Sequence, residues 1–227
     1  MTELNDEIED ILTGVEDNFR FLHVGMFLAE YIKRNDLSSE AKYLQLKLGN
    51  DKAYWLNSGV ISEQLKIYFA NKGKPIIFGY LVEWNAFRGI GMAMTEGLKI
   101  DSPFKTFVME TLGEKYEHYH AILSFIRNVL SHNIDDEIRL KENHYRGTRK
   151  SFMKKHPCGV AKFTFEYDRD MSEMTQNDYG FTIRVNFREL SPGKRFVEVI
   201  SEWDLYMFAE LCFNLIFAFR NQPPVPR

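Results

Sequence analysis

The sequence predicts a mainly helical protein with a small antiparallel β-sheet inserted before its last helix. Apolar residues recur at helical spacing through most of residues 1–133, as expected of helices that each bury one face. The period then changes to two, because apolar and polar residues alternate over 163–167 and again over 181–188, which is typical of half-buried strands. An apolar segment at 202–220 is predicted to be the final helix.

Polar and glycine-containing segments separate the predicted helices of the first 133 residues. Asn35 and Asp36 end the first helix, and Ser102 followed by Pro103 is a typical helix start because the first helical position needs no N–H. Gly113 separates the last two helices, and the repeated glycines of 75–99 permit close helix packing. In chain order, the predicted helices cover 4–33, a short segment from about 38, 51–70, 75–99, 103–112 and 114–132.

The predicted strands belong to an insert of about residues 159–200. Pro192 and Gly193 stand in the order that a type II turn prefers, and they predict a third strand near Phe196–Ile200. Ser201 and Asp204 form a variant of the capping box that begins a helix. We therefore expect a single domain over 1–227, with a helical core of about 1–133 plus 202–220.

Composition predicts a cytoplasmic protein without a membrane span. The acidic N-terminus lacks the basic and apolar stretches of a signal peptide. Cys158 and Cys212 are too few for a disulfide scaffold, and neither shows an acid–base partner that would make it a nucleophile. The segment 205–219 is shorter than the ~20 residues that a span requires and contains Glu210 and Asn214, so it is predicted to be a buried helix. Those two polar residues find partners in the core or border a functional site.

Charge is unevenly distributed, although the formal net charge is -3. Residues 1–20 hold seven acidic residues against Arg20, whereas 139–156 hold seven basic residues against Glu142. A basic cluster attracts polyanions because binding releases their counterions; the alternative is a solvated segment without a ligand. The candidate RNA-binding residues are Arg139, Lys141, Arg146, Arg149, Lys150, Lys154 and Lys155.

Arg127 and His132 end a strongly apolar predicted helix, and their residue types suit RNA cleavage without a metal or cofactor. Histidine exchanges protons near neutral pH, and arginine binds phosphate through two parallel hydrogen bonds. The amide of Asn128 can hold the substrate or the imidazole in place. Asn128 and His132 are four residues apart and therefore project from one helix face.

Two other pairs fit the same pattern. Arg139 and His144 have the same spacing as Arg127 and His132, and Arg149 with His156 fits a looser version. Both lie in a polar, basic segment that shows no apolar helical face. The apolar context and the adjacent Asn therefore favour Arg127.

The string Ile126-Arg127-Asn128-Val129-Leu130-Ser131-His132-Asn133 resembles the signature of the HEPN superfamily, Arg-x(4–6)-His with Asn commonly after Arg. The resemblance implies a four-helix up-and-down bundle, here with additional N-terminal helices and the β insert. It also implies a homodimer in which two motifs form one site. Many members are metal-independent endoribonucleases of toxin–antitoxin, abortive-infection or CRISPR systems. The resemblance therefore implies RNA as a partner and, for a toxin, an antitoxin protein. Carried over, Arg127 and His132 would be catalytic and Asn128 would support them.

Two less specific interpretations stay open. A non-catalytic HEPN-like module would bind nucleotide, RNA or a partner protein. A purely structural helix would carry Arg127 and His132 because cations complement the dipole at its C-terminus. Glu117 and His120 have the spacing of one half of a di-iron site, but a second such pair is absent from the sequence, so we expect no metal.

Overall fold

The computed structural model describes residues 2–34, 43–48, 52–57, 77–132, 138–166 and 180–221. These residues form mainly helices, with two small antiparallel sheets of two strands each. The helices are α1 (Thr2–Arg34), α2 (Ile77–Lys99), α3 (Pro103–Leu112), α4 (Tyr116–Ser131), α5 (Glu142–Lys155) and α6 (Glu202–Arg220). The strands are β1 (Tyr43–Leu48), β2 (Lys52–Asn57), β3 (Val160–Phe165) and β4 (Phe181–Asn186).

The chain forms two compact units. Residues 1–20 and 86–227 make up the main unit, which contains α3 to α6, the sheet of β3 and β4, and parts of α1 and α2. Residues 21–85 make up the second unit, in which β1 and β2 pair with Leu46 opposite Tyr54. The candidate site residues all belong to the main unit.

Helices α4 and α6 lie at the centre of the core and together bury more residues than any other pair of elements in the main unit. α6 buries nearly every residue from Leu205 to Ile216, and α4 buries its apolar side. Tyr119 of α4 joins the two helices, since its ring stacks on Phe208 with centroids 5.1 Å apart and its hydroxyl lies 3.4 Å from Cys212 Sγ. Burial of this extent leaves one face of α4 for polar side chains.

The first 20 residues of α1 pack against α6. Phe19 stacks on Phe213 with ring centroids 4.7 Å apart. Arg220, the last residue of α6, donates hydrogen bonds to the carboxylates of Glu9 and Glu16, the latter at 2.5 Å. Glu16 is buried, and a buried carboxylate requires such a charged partner to offset its lost hydration. These ion pairs join two segments of the main unit that are far apart in the sequence.

A glycine lets α2 approach α1 closely. A Cβ added at Gly89 would stand 2.0 Å from Asn18 Oδ1, which is closer than side chains come to one another. Asn18 in turn donates to the Gly14 carbonyl at 2.7 Å. The prediction that the glycines of 75–99 permit close packing is confirmed at this position.

The sheet of β3 and β4 covers part of α4 with its buried face. Phe163 of β3 packs against Tyr119 at a centroid distance of 5.5 Å. Phe125 of α4 lies 6.0 Å from the ring of Phe187, just after β4, and 5.8 Å from that of Phe196. The insert is therefore part of the core of the main unit.

Most of the predicted helices are confirmed, as is their combination with a small antiparallel sheet before the last helix. Helices α1, α2, α4 and α6 each begin and end within two residues of the predicted positions. Ser102 caps α3 by accepting from Lys105 N at 3.3 Å, and Ser201 caps α6 by accepting from Asp204 N at 3.1 Å. Local capping chemistry therefore placed both helix starts correctly.

The apolar segment at 205–219 is a buried helix, as predicted, because it forms most of α6. Among the residues that the structure describes, no helix combines the length and the hydropathy that crossing a membrane requires.

The predicted third strand near Phe196–Ile200 is wrong, since Phe196–Glu198 forms a short 3-10 helix. Phe196 and Ile200 are both buried, and the Ile200 N–H donates to the Phe196 carbonyl at 3.0 Å. A helical turn and a strand both place residues four apart on one side, so this short apolar pattern fits either. Strand-like pairing occurs just before it, where Arg195 pairs with Arg139 as an isolated antiparallel bridge.

The helix predicted at 51–70 is wrong where the structure describes that segment. Lys52–Asn57 forms β2, whose backbone groups pair with those of Tyr43–Leu48 in β1. The partner strand decides the outcome, because a paired ladder satisfies backbone donors and acceptors as well as a helix does. Residues 58–70 and the predicted helix start near 38 lie outside the described residues.

The basic stretch 139–156 was predicted to lack an apolar helical face, and this is wrong. Most of it forms α5, which buries His144, Tyr145 and Phe152. Three buried rings among many charged residues leave little hydrophobic periodicity to detect.

Replacing Phe125 with Ala should lower the free energy of unfolding by about 3–5 kcal/mol, because it empties the space between α4 and the insert. Chemical denaturation measures this loss. Met109→Ala on the exposed side of α3 is the control and should stay within roughly 0.5 kcal/mol of the parent. A Phe125→Ala loss no larger than that of the control would mean that the insert does not pack on α4.

Candidate functional site

Helices α4 and α5 lie antiparallel, side by side. At one end Lys155 Nζ lies 2.6 Å from Glu117 Oε1. In the middle Asn128 Nδ2 donates to Thr148 Oγ1 at 3.3 Å. At the other end the rings of His132 and His144 are 6.2 Å apart and nearly parallel. Residue numbers that rise along α4 are thus matched by residue numbers that fall along α5, and the line of contact between the two helices forms one seam.

A cleft of about 520 Å³ opens along this seam and against the C-terminal part of α2. The face of α4 that the core leaves open forms its floor, and α2 and α5 form its sides. The lining residues are Thr95, Lys99, Tyr116, Glu117, His120, Ala121, Ser124, Arg127, Asn128, Gly147, Thr148, Ser151, Phe152 and Lys155.

Each of the three cations in the cleft pairs with a carboxylate. Glu96 Oε1 lies 2.7 Å from Lys99 Nζ and 3.7 Å from Arg127 Nη2. Glu117 holds Lys155. Because these pairs are half exposed, water and salt screen them, and an incoming anion can replace the carboxylate at modest cost.

Arg127 is held in place by its own neighbours. Its Nη1 donates to Asn128 Oδ1 at 3.1 Å, and its Nε is buried without a hydrogen-bond partner among the described residues. Gly91 of α2 packs against the backbone of Arg127, where an added Cβ would lie 3.7 Å from Cα. The guanidinium is therefore fixed at the wall of the cleft, where the Arg127 side chain is 30% exposed.

His132 caps the C-terminal end of α4 and is exposed. The last turn of α4 is fixed by Arg88, whose Nε donates to the Leu130 carbonyl at 2.8 Å. That bond satisfies one of the carbonyls that a helix end leaves without a partner inside the helix. The ring of His132 faces the ring of His144 on α5.

His144 is fully buried behind His132. Its Nδ1 accepts a hydrogen bond from Lys141 N at 3.0 Å, which caps α5. Its Nε2 has no hydrogen-bond partner within the part of the chain that the structure describes. Burial lowers the pKa of His144, and the charges of Lys141 and His132 lower it further, so the imidazole is neutral at pH 7.

The structure brings two of the three predicted catalytic residues into one cleft. Arg127 and Asn128 both line it, whereas His132 does not. On α4, His132 lies one turn beyond Asn128 on the same face but about 7.5 Å along the axis from Arg127 and roughly 140° around it. Within one chain, Arg127 and His132 therefore point to different places.

The predicted RNA-binding residues lie mostly on α5, outside the cleft. Lys155 is the member of that set that lines it. Arg149 pairs with Glu142 at 3.2 Å and lies over the ring of Tyr145, and Arg139 donates to the Gly193 carbonyl at 3.0 Å. The remaining four residues are exposed: Lys141, Arg146, Lys150 and Lys154.

Sequence reasoning missed several cleft residues. Tyr116, His120, Ser124 and Arg127 recur every three or four positions, which makes a polar stripe on α4 that the sequence could have revealed. Lys99 and the α5 residues carry no such signal, since only the tertiary packing brings them to α4. Glu210 and Asn214 are buried in α6 and do not line the cleft. In the described residues, no three His, Cys, Asp or Glu side chains form a group able to hold a metal ion.

Comparison with protein-family models, with curated proteins and with solved structures finds no match to this chain. The resemblance to the HEPN signature thus rests on residues 126–133 alone.

Replacing Glu96 with Gln should free Lys99 and Arg127 for an anion from solution. We expect a single-stranded RNA oligonucleotide to bind a few times more tightly, with a steeper dependence on salt because more phosphates are contacted. Fluorescence anisotropy over a salt series measures both quantities. Glu110→Gln removes the same charge from an exposed position of α3 outside the cleft. Equal affinities for the two variants would show that Glu96 does not compete with the ligand.

The two cysteines should differ strongly in reactivity. Burial raises the pKa of the Cys212 thiol to about 12, despite the hydrogen bond with Tyr119, whereas Cys158 is exposed. Iodoacetamide at pH 8 should therefore label the native protein once, at Cys158, because the thiolate is the reactive form. Mass spectrometry reads the label. Cys158→Ser should take up none until it is denatured, and labelling of native Cys158→Ser would mean that α6 opens.

Proposed function

We propose that this chain is a metal-independent endoribonuclease of the HEPN type that acts as a homodimer. The observation that carries the proposal is the position of Arg127 and Asn128, which face a cleft together with Lys99 and Lys155. Three cations along one cleft favour a ligand that carries several phosphate groups, such as the backbone of RNA. The exposed His132 at the end of the same helix supplies a group that can move protons.

The proposed reaction uses the ribose itself as the nucleophile. The 2′-oxygen attacks the adjacent phosphorus while His132 takes its proton, and the bond to the 5′-oxygen breaks. Arg127 stabilises the added negative charge on the phosphoryl oxygens, and Asn128 holds the guanidinium in position. The 5′-oxygen leaves with a proton returned through His132 or water. The products carry a 2′,3′-cyclic phosphate and a 5′-hydroxyl, and DNA is not cleaved because it lacks the attacking group.

Arg127 and His132 point in different directions within one chain, which supports a site built from residues of two copies. A phosphate bound at Arg127 of one copy would meet the His132 of a second copy related by a twofold axis, since such an axis pairs each motif with the other. The exposed residues of α5, Arg146, Lys150 and Lys154, would guide RNA to this site through their long-range field.

The biological setting follows the same resemblance. We place the enzyme in the cytoplasm, in a toxin–antitoxin or phage-defence system, where a protein antitoxin would restrain it. A nuclease of this kind harms its own cell unless a partner covers the site.

One observation favours a different function, a non-catalytic module that binds nucleotide or RNA. Arg127 is already paired with Glu96 and Asn128, and His132 lies outside the cleft that Arg127 lines. An anion could bind there without any group in position to take its 2′ proton.

Cleavage of a fluorescent single-stranded RNA in EDTA tests the proposal. Wild type should cleave it, and Arg127→Ala and His132→Ala should each lower kcat/KM by at least about a hundredfold. Arg184→Ala, which removes the same charge from the exposed face of β4, should retain wild-type activity. Circular dichroism confirms that all variants fold.

Three outcomes would count against the enzyme. Dependence on magnesium, or cleavage of a 2′-deoxy substrate, would rule out attack by the 2′-hydroxyl. Wild type that binds RNA but leaves it intact at concentrations that permit dimers would favour the binding module instead.

A further inference from the structure

The half of the cleft away from Arg127 has a different chemical character. Tyr116 and His120 line it with their rings 5.9 Å apart and tilted by 32°, and Phe152 lies on the opposite side. Flat rings at the side of a cationic cleft are the usual surface on which an unpaired nucleobase stacks.

The uncharged polar side chains of this half are available to a ligand. Within the described chain, the Tyr116 hydroxyl, the His120 ring nitrogens and the hydroxyls of Ser124 and Ser151 make no hydrogen bond. The charged side chains of the cleft, by contrast, each pair with an opposite charge. A ligand can therefore bind the free donors and acceptors without breaking a bond inside the protein.

Both ring side chains are uncharged at neutral pH. Burial lowers the pKa of His120; Glu117 opposes this shift, and Lys155 and Lys105 add to it. Burial, with Glu117, raises the pKa of Tyr116. A neutral imidazole offers one donor and one acceptor, and a phenol offers the same pair, which matches the edge of a base better than a phosphate.

The spacing along α4 fits a phosphate and a neighbouring base. His120 and Arg127 are seven residues apart, so they lie on nearly the same face and about 10 Å from each other along the axis. A phosphate at Arg127 and Lys99 would leave the base of an adjacent nucleotide over His120. A duplex cannot present a base in this way, because its bases are stacked and paired.

We infer that Tyr116 and His120 form a nucleobase subsite, which binds one unpaired base of single-stranded RNA and gives the enzyme its preference for the nucleotide beside the cleaved bond. The inference rests on the proposed function and adds a substrate preference to it. Tyr116 provides the stacking surface, and His120, with Ser124 and Ser151, hydrogen-bonds the edge of the base.

Steady-state cleavage of short RNAs of varied sequence tests the subsite. Tyr116→Leu and His120→Ala should each raise KM about tenfold, the size expected for one stacked base, with the loss in KM rather than kcat. Tyr116→Phe keeps the ring and should recover most of the stacking. Both ring-deleting variants should flatten the sequence preference of wild type, read by mapping the cleaved bonds. Unchanged KM and unchanged preference would overturn the subsite while leaving the ribonuclease proposal intact.

A binding measurement separates the two proposals if cleavage fails. Anisotropy compares a trinucleotide with its counterpart that lacks one base, on wild type and on Tyr116→Leu. Wild type should bind the intact trinucleotide more tightly, and Tyr116→Leu should lose that difference. That result without cleavage would support the subsite and reject the enzyme. Equal affinity of wild type for both ligands would reject the subsite whether or not RNA is cut.

Discussion

The burial of α4 constrains the rest of the main unit. Tyr119 packs against α6, and Phe125 packs against the insert. Neither of these two faces of α4 can become exposed to solvent without a large loss of buried apolar area. The polar side chains of α4 are therefore confined to the one remaining strip. That strip forms the floor of the cleft and contains Asn128, which pairs with Thr148. The exposed His132 follows at its end. The insert contributes to function in this indirect way, although it supplies no residue to the cleft.

The electrostatics of the cleft depend on carboxylates as much as on cations. Glu96 holds Lys99 and Arg127 near each other although they come from different helices and repel one another. Glu117 pairs with Lys155 beside the aromatic half of the cleft. Each acid compensates part of the positive charge that the three cations place in the cleft. These ion pairs allow three basic groups to share a small cleft in a chain whose net charge is negative.

The accuracy of the sequence predictions follows the range of the interactions involved. α1 and α4 carry apolar periodicity, and α6 is a continuous apolar segment. Ser102 and Ser201 act through bonds to residues three positions away, so local patterns located these elements. β2 was mistaken for a helix because its partner strand, not its own residues, determines its conformation. The same holds for the site. The pair Arg127 and Asn128 is visible in the sequence, and helix geometry alone separates Arg127 from His132. Lys99 and Thr148 join the pair through contacts between helices that no local pattern encodes.

The ion pairs of Arg220 have a consequence for the way the protein is made. They join α6 to Glu9 and Glu16, which are separated from Arg220 by more than 200 positions in the chain. A ribosome therefore completes α1, α4 and the sheet before the helix that buries them emerges. Until then the apolar sides of these elements lack α6 as a packing partner, and exposed apolar surface of this kind favours aggregation. The cleft, whose floor is fixed only when α6 is in place, consequently forms after α6 has been synthesised.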